Sequence, residues 1–198
     1  YGIMGPTHHA LEDVGAMRAL PNVRIYLPLT ATDVPEVVDA MAADPRPNYL
    51  RLNAPARIPG ALPPFAPWRR LKRGRRGVVV AMGPVVQGLY DLAAPRLLEE
   101  LEIWSVGTLP LTDLPAELAA SIREQGRVIT LEEHYLAGGL GEALGHLLLT
   151  SGVIPESLTC LCAAGYPSGR HGSQRWHQEE CGLRGPALAS RLESVLRG

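Results

Sequence analysis

Gly77-Val78-Val79-Val80-Ala81-Met82 is an unbroken run of small and apolar residues with no polar side chain to mark a wet face. A strand with one solvated face alternates apolar and polar residues. A continuous run predicts a strand buried on both faces, as in a parallel sheet covered by helices. Downstream, the pattern repeats: a helix through Leu97–Glu100, a strand at Glu102–Val106, a helix at Pro115–Glu124, and a strand at Arg127–Glu132. A helix at Leu140–Leu149, a strand at Leu158–Cys162 and a helical tail ending near Arg197 follow. This β-α winding predicts an open α/β sheet domain over residues 77–198.

Upstream, five of the fifteen residues Asn53–Pro67 are proline. Proline fixes φ and lacks an amide donor, so the stretch is expected to be extended and without regular structure. Six basic residues then crowd into residues 69–76: Arg69, Arg70, Lys72, Arg73, Arg75 and Arg76. With Trp68 the one aromatic beside them, a solvated linker over residues 53–76 is the expectation, and a nucleic-acid patch is disfavoured. Residues 1–52 form a separate α/β segment. Leu11, Val14, Met17 and Leu20 share one face of a helix expected over His9–Leu20, stopped by Pro21-Asn22. A strand at Val23–Leu27, a helix capped by Thr32 with Pro35 in its first turn, and a strand at Asn48–Leu52 follow.

The formal net charge of −1 gives no global field toward nucleic acid or membrane. The apolar run near Leu147–Leu149 is far too short to span a bilayer, and no signal peptide is visible, so a cytoplasmic protein is expected. Cys160, Cys162 and Cys181 are too few for a disulfide framework and read as structural thiols.

Four constellations could carry chemistry. Gly5-Pro6-Thr7-His8-His9 is a tight turn that presents His8 at the mouth of a helix, where an imidazole can donate to a substrate oxygen or move a proton. A capping turn with two solvated histidines fits the same residues. Arg51 ends a strand, where α/β sheets bind ligands, and its guanidinium suits a phosphate or carboxylate through bidentate bonds. An ordinary surface arginine is the blander alternative. Glu132-Glu133-His134, followed by Gly138-Gly139-Leu140-Gly141, could be an acid–base pair, half a metal site, or a polar strand end with glycines for close helix packing. Ser168–Cys181 carries His171, Arg175, Trp176 and His177 and reads as a loop facing a substrate or partner.

These stretches resemble a known family. GPTHHALEDVGAMRALPNVRIYLP, from Gly5 to Pro28, is similar to the GPTHH…ED…RALPN segment of transketolases and deoxyxylulose phosphate synthases. YLRL at Tyr49–Leu52, LPLTDLP, ITLEEHYLAGGLGEAL, the SG at Ser168 and the later CGL resemble the same family in the same order. The resemblance implies the end of a pyrimidine-binding domain (the thiamine diphosphate fold), then a transketolase C-terminal-like domain. It implies a two-carbon ketol transfer from a ketose to an aldehyde through the carbanion of thiamine diphosphate, with Mg²⁺. His8 would contact oxygens of the donor or intermediate as the catalytic residue, Arg51 would bind an anionic substrate end, and His9 is a further substrate-binding candidate.

The glutamate that activates the cofactor, its aromatic pocket and the diphosphate and metal ligands have no counterpart here. They are expected upstream or on an N-terminal transketolase component, in a hetero-oligomer such as a heterotetramer. A beta-type subunit of a 2-oxoacid dehydrogenase, or a docking module without chemistry, are the alternatives. In typical transketolases an aspartate precedes GPTH and recognises a sugar hydroxyl. Met4 stands there, and its thioether cannot accept a charge-assisted hydrogen bond, which counts against pentose phosphate as the substrate.

Overall fold

The computed structural model describes Gly5 and residues 8–197. The Met4 position lies outside the described residues.

In chain order the elements are α1 (Asp13–Arg18), β1 (Arg24–Tyr26), α2 (Asp33–Ala43), β2 (Asn48–Leu50), β3 (Trp68–Lys72) and β4 (Gly77–Met82). A 3₁₀ turn (Gly83–Val86) leads to α3 (Gln87–Tyr90), α4 (Pro95–Glu100), β5 (Leu101–Val106), β6 (Thr108–Leu109) and α5 (Ala116–Gln125). Then come β7 (Arg127–Glu132), α6 (Leu140–Thr150), β8 (Ser157–Leu161), α7 (Gln174–Glu180) and α8 (Gly185–Arg197). The fold is mixed α/β with two sheets: β2-β1-β6, and β3-β5-β4-β7-β8.

The apolar run does what its pattern requires. β4 is the middle strand of the larger sheet, parallel to β5 and β7. Val78, Val80 and Met82 pack on one face with Leu118, Ile122 and Leu144 from α5 and α6. Val79 and Ala81 pack on the other with Leu89, Leu188 and Leu192 from α3 and α8. Helices cover both faces, so no residue of β4 faces water. Val14, Ile25 and Leu27 of the first segment join the α5–α6 core, so the two segments share buried apolar surface.

Four expectations are corrected. The helix of the first segment begins at Asp13, not His9, because the carbonyls of Ala10 and Leu11 are taken by tertiary donors, Arg51 Nη2 and the Tyr135 amide. Leu20 is accordingly half exposed, beyond the helix. Thr32 stands at the start of α2 but makes no side-chain cap; Asp33 instead accepts the amides of Leu29 and Thr30. The helix through Leu97–Glu100 is broken into α3 and α4, the second restarted by Pro95 in its first turn.

The largest correction is the basic cluster. Residues 53–67 contain no helix or strand, as proline predicts, but Trp68–Lys72 form β3, antiparallel to β5 at the sheet edge. Arg69 is 2% exposed and forms a bidentate pair with Asp33, at 2.8 and 2.7 Å. Arg70 meets Glu117 at 3.0 Å, Lys72 Nζ donates to three backbone carbonyls, and Arg76 pairs with Glu100 at 2.8 Å. Four of the six basic groups therefore have partners within the chain, and Arg69 is the one buried outright. No helix among the described residues is long and apolar enough to cross a membrane.

Candidate functional site

The carboxyl ends of β2 and β7 meet beneath the turn that carries His8, where α/β sheets form ligand crevices. Arg51 follows β2, and Glu133 follows β7. Between them lies a cavity of about 330 Å³, lined by His8, His9, Asp13, Arg51, Glu133 and Tyr166 among others. Residues separated by more than a hundred positions thus converge on one space, and all three sequence-predicted site residues (His8, His9 and Arg51) border it.

Each is held differently. His8 is exposed, and its amide donates to the Gly5 carbonyl at 3.0 Å, closing the turn. Gly5 has φ of +71°, a left-handed conformation that glycine adopts without strain. His9 Nδ1 is 2.8 Å from the Tyr166 hydroxyl, and the two rings stack. Arg51 is 8% exposed and largely committed. Its Nε donates to Asp13 Oδ2 at 2.8 Å, and Nη2 donates to the carbonyls of Glu133 and Ala10 at 2.9 and 3.3 Å. Nη1 has no partner among the described residues. The bidentate clamp expected from sequence is therefore unavailable on the Nε edge, and Nη1 is what remains for an anion.

Asp13 also accepts from the Tyr49 hydroxyl at 2.9 Å, and its Oδ1 is buried without a partner among the described residues. Burial and that hydrogen bond push the Tyr49 phenol up to about 12, so it stays a donor.

Glu132-Glu133-His134 divides into three separate tasks. Glu132 is fully buried and accepts the amides of Leu140 and Gly141 at 2.6 and 2.8 Å, anchoring the N-terminus of α6. Gly139 leaves it room: a Cβ there would sit 2.3 Å from Glu132 Oε2. Glu133 faces the cavity and accepts from Gln174, Gln178 and Asn53 at 2.6, 3.2 and 3.4 Å; burial raises its carboxyl above the usual range. His134 is buried; its Nε2 accepts the Gly15 amide at 3.1 Å while Nδ1 lies 2.6 Å from the Tyr135 carbonyl. In these contacts Nε2 is the acceptor and Nδ1 the donor. A Cβ at Gly138 would come 2.7 Å from Gly15 Cα. The glycines therefore serve close packing of α1 on the turn before α6. Neither a metal half-site nor a phosphate cradle is formed.

Burial pushes the Glu132 carboxyl up to about 7, against the two amides that favour its charge. A raised carboxyl stabilises the fold most when protonated. This contribution is full below the ordinary value of 4.5 and is lost as pH rises to about 7. The wild type is expected to lose up to about 3 kcal/mol across that window, read as midpoint against pH in urea. Glu132→Gln is expected to be flatter over the same range.

The tail supplies what sequence could not resolve. Tyr166, Gln174, His177 and Gln178 line the cavity opposite Arg51. Burial, with His9 nearby, lowers the His177 pKa. Cys181 also borders the cavity, and all three cysteines are free. Among the described residues no group of three or more His, Cys, Asp or Glu side chains could hold a metal ion. The described residues therefore do not fit the Mg²⁺–diphosphate end of the cofactor that the resemblance implies.

Comparison with known proteins bears on the family and the fold. Residues 1–56 match the model of the transketolase pyrimidine-binding domain. A putative transketolase family protein of Sinorhizobium fredii is 31% identical over 165 residues, 77% of this chain and 46% of the relative. A subunit of apulose-4-phosphate transketolase from Actinobacillus succinogenes is 27% identical over 157 residues, 77% of this chain and 50% of that one. The chain thus spans about half the length of these relatives. A solved structure described as a split gene transketolase, an inactive beta4 tetramer, is 27% identical with a TM-score of 0.77, covering 96% of this chain and 62% of that one. With the pyrimidine-domain match at its start and these likenesses over the rest, the chain belongs to the transketolase family, as a C-terminal section of the family's architecture.

Proposed function

We propose that this chain is the C-terminal component of a transketolase-like enzyme that moves a two-carbon ketol unit from a ketose donor to an aldehyde acceptor. The observation that carries the reading is the convergence of His8, His9 and Arg51 on one cavity. In this reading residues 1–52 end the pyrimidine-binding domain, residues 53–67 connect, and the C-terminal domain takes in β3 together with residues 77–198. A partner, the N-terminal component, holds the diphosphate and Mg²⁺. The likeness to one subunit of apulose-4-phosphate transketolase and to a split gene transketolase supports such a pairing. Thiamine diphosphate supplies the carbon nucleophile when bound.

The residues of this chain act on the substrate. His8 donates to, or takes a proton from, a substrate oxygen at the cavity mouth. Arg51 Nη1 pairs with the anionic end, and its other edge is braced by Asp13 so that the guanidinium cannot swing away. The fixed amides of Gln174 and Gln178 hold Glu133 in place on the far wall.

Arg51→Ala is the test of the substrate class. Removing a charge-assisted hydrogen bond costs about 1.5–3 kcal/mol. KM for a phosphorylated sugar is therefore expected to rise about 10–100-fold more than KM for the same sugar without phosphate. The variant also loses a buried ion pair, so the comparison is made between substrates on one preparation. Equal changes for both sugars would remove the anion-binding role.

A further inference from the structure

We propose that the tail from Tyr166 to His177 is a clamp that positions His8, with Tyr166 as the positioning residue. The inference rests on the role given to His8 above.

The tail grips the turn on both sides of His8. Before it, a Cβ on Gly5 would lie 3.1 Å from the His171 ring, so this ring packs directly on the Gly5 backbone. After it, His9 hydrogen-bonds and stacks on Tyr166 and meets the edge of His177, with ring centroids 5.1 Å apart. Tyr166 in turn meets the rings of His171 and His177 at 5.1 and 5.3 Å. The two flanks of His8 are thus joined through one aromatic cluster.

The cluster is itself anchored. His177 Nε2 accepts the Gly172 amide at 3.1 Å, and Trp176 packs on the His177 ring at 4.8 Å. Ser173 caps α7 by accepting the Trp176 amide, and Gln174 and Gln178 tie α7 to Glu133 at the end of β7. A path of direct contacts therefore runs from the rigid sheet through α7 and the cluster to the turn. Within the first segment the Gly5 carbonyl closes the turn, and Arg51 Nη2 reaches the Ala10 carbonyl just after it at 3.3 Å. His171 and His177 take part because an imidazole can both bond and stack.

The test uses Tyr166→Phe, which keeps the ring and deletes the hydroxyl, in the assembled enzyme isolated from its native source through this chain. Amide hydrogen exchange over residues 8–12 is expected to speed up about five- to tenfold, with exchange in β4 and β7 and the melting temperature unchanged. Turnover is expected to fall about tenfold, with KM and thiamine diphosphate affinity held. A merely structural role would instead move the melting temperature, or loosen β4 and β7 as much as the turn, and would overturn the clamp. So would unchanged turnover in Tyr166→Phe when His8→Ala is strongly impaired. Unchanged turnover in His8→Ala would overturn the reading on which the clamp rests.

Discussion

Arg69→Met is expected to destabilise the chain by about 3–5 kcal/mol, a large part of the stability of a domain this size. The guanidinium is almost fully buried and engages both oxygens of Asp33, whose side chain is 7% exposed. Asp33 also accepts the amides of Leu29 and Thr30, so it cannot turn away to water when its partner goes. Methionine fills much of the space but leaves a buried carboxylate with two neutral donors. Burial works against the Asp33 charge, but Arg69 and the two amides outweigh it and hold the carboxyl below its ordinary 3.8. A depressed carboxyl gives stability that is present above the ordinary value and lost as pH falls through the folded one. The gap between wild type and Arg69→Met is therefore expected to be wide at pH 7 and to narrow in acid. Adding Asp33→Asn to Arg69→Met should cost less than the sum of the single changes, because the second change removes the stranded charge. Urea midpoints at several pH values would check all three statements; a loss below about 1 kcal/mol would mean the pair is solvated and β3 is not docked as described.

His8→Ala is expected to lower turnover of the assembled enzyme by about 10²–10⁴-fold, the range of a lost general acid or base. Stability and cofactor affinity should change little. His8 is exposed, so truncation opens no core cavity, and none of the described residues provides a site for the Mg²⁺–diphosphate end. KM should change less than turnover, because a group that handles a proton acts mainly in the transition state. A large rise in KM with unchanged turnover would instead assign His8 to simple binding.

The parts of this molecule legible in the sequence are those governed by local pattern. GVVVAM has no other comfortable place than a strand covered on both faces, and its parallel neighbours follow from apolar runs punctuated by glycine and proline. Arg51 stands out because a charged residue at the end of an apolar strand marks a sheet's ligand-facing edge.

What is not legible depends on partners distant in the chain. A crowd of arginines looks solvated until Asp33, thirty-six positions away, appears beside Arg69. β6 has two residues, too short for any period, yet pairs antiparallel with β1 and joins the two segments. The start of α1 is set by Arg51 and Tyr135 taking the carbonyls of Ala10 and Leu11. The tail's rings acquire meaning only when Tyr166 reaches His9, 157 positions earlier.

The most direct test is to isolate this chain with its native partner, supply thiamine diphosphate and Mg²⁺, and follow transfer of a labelled two-carbon unit from a ketose phosphate to an aldehyde. No lipoyl carrier would be present. Labelled ketol product is expected with the wild type, and its near-complete loss with His8→Ala at equal cofactor occupancy. A cofactor-loaded wild-type assembly that forms no ketol product, or a His8→Ala assembly as active as the wild type, would contradict the proposed function.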